Sequence, residues 1–121
     1  MGSSDLETEL FDASAKGDLE TVMYLVNKKG IDVNPKIASG LTPLMKASSN
    51  NRLSVVKFLI KKGANPNDTD RWGYTALLWA VDKHVADLVT IAYLVDNGAN
   101  ISVKDTKIGF TPLHWIAQRG D

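Results

Sequence analysis

Cysteine is missing altogether. Its absence excludes a disulfide framework, thiolate metal sites and a cysteine nucleophile together, and it leans toward a reducing, intracellular setting, cytoplasmic or nuclear. Excess charge of either sign is also missing. Lys plus Arg come to 14 and Asp plus Glu to 14, which removes the bulk electrostatic drive of a dedicated nucleic-acid or membrane-surface binder. No apolar run approaches the ~20 residues that span a bilayer, and Met1-Gly2-Ser3-Ser4 opens no signal segment. Aromatic residues are scarce at 7%, so where they fall is informative. The 121 residues are otherwise ordinary, with 44% hydrophobic and 23% charged. That is one globular domain's worth of chain.

What the sequence does have is an internal repeat, the feature to seek before any other. Leu41-Thr42-Pro43-Leu44 returns as Tyr74-Thr75-Ala76-Leu77 and again as Phe110-Thr111-Pro112-Leu113. Each threonine follows a glycine by two positions: Gly40, Gly73 and Gly109. A second marker keeps step, Lys62-Gly63-Ala64-Asn65 with Asn97-Gly98-Ala99-Asn100, and Lys29-Gly30-Ile31-Asp32 is a looser copy upstream. Projecting back places a degenerate first unit at Thr8, with Leu10 and Ala13 in its apolar slots.

Each unit reads as helix, turn, helix, loop. Thr42-Pro43 sets a hydroxyl at an N-cap and a proline in the first turn, where its missing N–H costs nothing. Asn50-Asn51 interrupts, since asparagine tolerates the left-handed conformation that ends a helix. Leu53, Val55, Val56, Leu59 and Ile60 then form an apolar stripe at helical spacing. Gly63 closes that second helix, with Lys61 and Lys62 suited to its negative end. One such pair cannot bury its own apolar face, so the units must stack into an all-α solenoid.

These markers resemble ankyrin repeats. The resemblance covers roughly residues 5–121, with residues 1–4 as an N-terminal tail and one domain of units at about 8–41, 42–74, 75–110 and a partial 111–121. It implies stacked helix-turn-helix units joined by extended β-turn loops. Met45 stands where the family usually has histidine, and Ala76 and Leu78 replace its Pro and His; only Thr111-Pro112-Leu113-His114 is complete. Two extra residues fall around Lys83–Asp87, placed at the inter-helix turn, and one more, Ile108, in the following loop. The last unit stops at Asp121 after one helix, leaving Leu113 and Ile116 uncovered. A fragment of a longer array is expected over a half-repeat tolerated as a cap or an end covered by a partner. The chain is otherwise expected to be a monomer.

No catalytic or metal-binding constellation is present. The resemblance implies that His114 hydrogen-bonds the capping threonine, and His84 with Asp87 supplies two ligands where a site needs more. Glycines sit at repeat-spaced turns rather than in a phosphate loop. Asn67-Asp68-Thr69 and Asn100-Ile101-Ser102 match the glycosylation acceptor pattern, and Arg119-Gly120-Asp121 an adhesion tripeptide, but all three fall on ordinary repeat positions. The paired carboxylates Glu7 with Glu9 and Asp68 with Asp70 lie on a terminus and a loop without an obvious pocket. The expectation is a protein that is not an enzyme and uses no cofactor.

The resemblance implies a binding surface of loop tips and inner first-helix positions. The tips are Ala38, Ser39 and Leu41, then Arg71, Trp72 and Tyr74, then Thr106, Lys107 and Phe110. The inner positions are Lys46, Trp79 and Trp115, with Asn50, Lys83 and Arg119 a turn on. All three tryptophans fall in this set, and Trp, Tyr and Arg dominate interface hot spots. Trp79 and Trp115 have a competing role, packing between neighbouring first helices. Trp72 and Tyr74 flank Gly73, where core packing is harder to arrange. Charge is uneven: residues 1–20 hold six acidic side chains and one lysine, while residues 28–62 hold eight basic ones against Asp32 alone. Most of these basic groups project to a solvated convex face; Lys36 and Lys46 are placed to meet an acidic partner. The partner-binding set is therefore Leu41, Lys46, Arg71, Trp72, Tyr74, Trp79, Lys107, Phe110 and Trp115, and the expected function is a protein–protein interaction module. A ligand- or oligonucleotide-sensing segment, with a base stacked on the aromatics and phosphates on Lys46, Arg71 or Lys107, is the alternative.

Overall fold

The computed structural model describes residues 3–37, 39–82 and 88–102. Among these residues six helices follow in order: α1 (Ser3–Lys16), α2 (Leu19–Met23, continued by a π-helical segment Tyr24–Lys28), α3 (Pro43–Ser49), α4 (Leu53–Lys61), α5 (Ala76–Asp82) and α6 (Leu88–Asp96). No strand occurs among the described residues. Helices pair as α1–α2, α3–α4 and α5–α6. The first helices form a row with α3 between α1 and α5, and the second helices form a row with α4 between α2 and α6.

The repeat spacing explains the core. Leu10, Leu44 and Leu77 hold one position in successive first helices; Ala13, Ala47 and Ala80 hold the next, small enough for the helices to approach closely. Val22 with Val56, and Leu25 with Leu59 and Leu94, are the matching positions of the second helices. All belong to one continuous buried cluster. Each buried leucine or valine contributes about 1.5–3 kcal/mol relative to exposure, so no unit is stable without its neighbour.

Caps fix the helix starts. Thr42 Oγ1 accepts the Met45 N–H at 3.2 Å and Thr75 Oγ1 the Leu78 N–H at 3.3 Å. Thr8 behaves differently from these two. α1 begins at Ser3, so Thr8 lies inside a helix and the first two residues of that helix come from the expected tail. The first unit lacks the Gly-x-Thr-Pro signal that starts α3, and acidic residues near the helix start suit its positive end. The inter-helix turns close alike: Asp18 N–H donates to Ala13 O at 2.9 Å and Arg52 N–H to Ala47 O at 2.8 Å. Asn51 takes a positive φ of 58° there.

The second helices end in a common motif, with Ala64 N–H on Leu59 O and Ala99 N–H on Leu94 O, both at 2.9 Å. In the first unit the equivalent bond runs from Ile31 N–H to Leu25 O at 3.1 Å, one residue longer. A single extra residue widens the helix to a π turn instead of breaking it. Between units, Asn34 Nδ2 donates to Gly63 O at 3.3 Å and its Oδ1 accepts Asn65 N–H at 3.4 Å. Asn67 repeats the pattern on Gly98 O at 2.9 Å and Asn100 N–H at 2.8 Å. The insertion around Lys83–Asp87 and the fourth unit lie outside the described residues.

Candidate functional site: a cleft between two first helices and the adjoining loop tip

The loop before α5 turns on Asp70. Its N–H donates to Tyr74 O at 3.0 Å, and Gly73 N–H returns to Asp70 O at 3.0 Å. Asp70 Oδ1 accepts the N–H groups of Trp72 at 2.9 Å and Tyr74 at 3.0 Å. Its Oδ2 accepts the indole Nε1–H of Trp79 at 2.9 Å. A carboxylate only 6% exposed is thus held by three N–H donors, two from its own turn and one from the next helix. The preceding loop turns similarly, with Ile37 N–H on Leu41 O and Gly40 N–H on Ile37 O. Arg71 N–H donates to Ser39 O at 2.8 Å and ties the two tips together.

This scaffold presents a shallow cleft of about 210 Å³ between α3 and α5, lined by Leu41, Met45, Lys46, Ser49, Asn50 and Trp79. Four of the six, Leu41, Lys46, Asn50 and Trp79, are positions the sequence assigned to the loop tips and the inner helix face. Trp79 is half-buried, and its ring lies 4.9 Å from that of Tyr74 at a 55° tilt. Its one N–H is already used by Asp70, so it offers the cleft an apolar ring surface.

Arg71 and Trp72 stand on the tip, with the guanidinium carbon 4.6 Å from the indole centroid. Such a stack presents a flat, partly prepaired cation and ring. Tyr74 departs from the expectation of a side chain hard to accommodate in the core. It is only 6% exposed, because Asp70 turns its backbone inward and Trp79 gives its ring a partner. Its part in the site is to support Trp79. Lys36 is exposed and does not line the cleft. Lys107, Phe110 and Trp115 lie outside the described residues, as do Ala38, Lys83, Thr106 and Arg119.

Asp70, read from the sequence only as half of a carboxylate pair on a loop without a pocket, is the residue whose part in the site was missed. Its signal was position, four residues before Tyr74 and nine before Trp79, a spacing that reaches an aromatic only if the loop folds back. Among the described residues no cluster of three or more His, Cys, Asp or Glu is placed to hold a metal, and no helix is long and apolar enough to cross a membrane.

Comparison with known proteins agrees with the repeat architecture. Models for ankyrin repeats match residues 3–70, as three copies, and residues 72–106. The chain is similar to palmitoyltransferase AKR1 of Saccharomyces cerevisiae, 32% identical with 95% of this chain and 24% of that protein covered. It is 44% identical to the IkB-like protein of African swine fever virus over 59% of this chain and 30% of that one. Similarity to the ankyrin repeat, SAM and basic leucine zipper domain-containing protein 1 of Notamacropus eugenii reaches 37% over 89% of this chain and 23% of that one. The chain therefore spans less than a third of the length of each of these relatives. Ankyrin repeats are in general non-catalytic modules that mediate protein–protein interaction. With its repeat spacing, threonine caps and two rows of stacked helices, the chain belongs to the ankyrin-repeat family.

Proposed function

We propose that this chain is a non-catalytic interaction module, working in a reducing intracellular compartment, that binds a protein through the α3–α5 cleft and the Arg71–Trp72 tip. The observation that carries this reading is the convergence of Leu41, Lys46, Asn50 and Trp79 on one open cleft, backed by a buried Asp70 that fixes the aromatic wall. Preorganised aromatic and cationic groups around a shallow depression suit a protein surface, because less ordering entropy is lost on association. The cleft is smaller than the ~300–1,000 Å³ typical of small-molecule sites, which favours the side chains of a polypeptide over a nucleotide.

The test is affinity capture from a cell lysate with three proteins: the native chain, a Lys46→Glu/Arg71→Ala variant, and a convex-face control, Lys57→Ala/Lys61→Ala. Helical circular dichroism confirms folding of each. A protein retained by the native chain and the control but lost from the face variant is expected. Identical retention by all three overturns the assignment of this face.

A further inference from the structure

We infer that the α3–α5 cleft recognises an extended polypeptide segment carrying an Asp or Glu carboxylate next to a large apolar side chain. The inference rests on the interaction reading above and names the chemistry of the partner. It follows from what each lining group still has to offer.

Lys46 is the cleft's one charged residue. It is half-buried on α3, and no carboxylate among the described residues pairs with it. A cation beside neutral and apolar walls, with no carboxylate of its own chain, is complementary to an anion carried by a partner. Asn50 Nδ2 donates to Ala15 O at 3.0 Å, which orients the amide and leaves Oδ1 as an acceptor. An acceptor at the cleft edge suits a backbone N–H of an extended chain. Ser49, buried at 7% exposure, spends its one hydroxyl donor on Lys46 O at 3.1 Å, so it offers a partner no donor. The remaining wall, Leu41, Met45 and the ring of Trp79 with its N–H spent on Asp70, is apolar.

The three demands are one anion, one N–H donor and one apolar group within a volume of about 210 Å³. A peptide with an acidic residue beside Leu, Ile, Met or Phe meets all of them. Phosphate of a nucleic acid meets only the first, since one lysine cannot supply the several backbone contacts such binding relies on. A basic peptide is repelled by Lys46.

The experiment is a selection of random short peptides displayed on phage, run in parallel on the native chain and on Lys46→Glu, with Lys46→Gln as a second variant. The native protein should enrich acidic residues next to large apolar ones. Lys46→Glu should enrich Lys or Arg in their place. For a synthetic peptide from the native pool, Lys46→Gln should weaken binding about three- to tenfold, and replacing the peptide's Glu by Gln should weaken it equally. The indole N–H resonance of Trp79 should shift on titration. Enrichment of apolar peptides without acidic preference overturns the inference while leaving the face as a protein-binding site. Absence of any enriched sequence overturns it too, and the lysate capture then stands as a separate measure of the interaction reading.

Discussion

The indole N–H of Trp79 donates to Asp70 Oδ2 at 2.9 Å, so a side chain on α5 is pinned by the loop that leads into that helix. The same carboxylate accepts the Trp72 and Tyr74 N–H groups. One buried anion therefore sets the turn, the Tyr74 ring and the wall of the cleft together.

Replacing Asp70 by Ala removes the acceptor that those three donors share. The loss should reach about 2–4 kcal/mol in denaturant unfolding, since an unsatisfied buried donor costs about 1–3 kcal/mol. Asp70→Asn keeps an acceptor oxygen for the turn but weakens the charge-assisted bonds, and it should cost about half as much. The Trp79 indole resonance should move in both variants. Wild-type stability for Asp70→Ala would show that the turn is held by its backbone bonds alone.

Gly40 should be harder to replace than Gly30. Its φ is +84°, and a Cβ there would stand 3.0 Å from Asp70 Cα and 3.3 Å from Arg71 N, both backbone atoms. Gly30 has a φ of +69° with nothing within 4 Å of its would-be Cβ. Gly30→Ala should cost about 1 kcal/mol for the left-handed backbone alone. Gly40→Ala should cost roughly 2–3 kcal/mol, and faster amide exchange at Arg71 should follow as its bond to Ser39 O is pushed apart. Equal costs for the two variants would remove the steric argument.

The fold was legible because its signals are local and periodic. Thr42 and Thr75 cap the helices they were expected to cap, and Leu44, Leu59 and their counterparts fill one continuous core. The concave positions Leu41, Lys46 and Trp79 met at a cleft because repeat register places them without any knowledge of contacts. What stayed hidden depends on closure between units. The Asn34 and Asn67 bridges use amides whose partners lie about one repeat away, and Asn67 read only as a glycosylation match. The burial of Tyr74 hangs on Asp70, a residue whose loop context gave no hint of three donors converging on it. The π turn at Tyr24–Lys28 reflects a single extra residue that the looser first copy concealed.

Ser14 and Ser48 occupy equivalent positions of α1 and α3, and both hydroxyls are buried without a hydrogen-bond partner. The third unit has Val81 at that position, fully buried. Ser48→Ala should therefore be neutral or stabilising by up to about 1 kcal/mol, because it removes a desolvated polar group. Ser49→Ala is the contrast, since the Ser49 hydroxyl does donate to Lys46 O. Parallel urea titrations that rank Ser48→Ala below Ser49→Ala would sink this account.

Asp18 links the first inter-helix turn to pH. Its Oδ2 accepts the Thr21 hydroxyl at 2.6 Å and its Oδ1 the Thr21 N–H at 3.2 Å. These bonds, the hydroxyl first, hold the carboxyl below its ordinary value of 3.8. A folded-state pKa lowered in this way stabilises the fold above the unfolded value, and the contribution fades as pH falls through the folded one. The stability gap between the native chain and Asp18→Ala should thus be constant from neutral pH down to about 5 and shrink below 3.8. Urea midpoints for both proteins, stepped through that range, measure it. A gap that persists undiminished in acid would assign the effect to the intrinsic helix propensity of the substituted residue and not to the carboxylate cap.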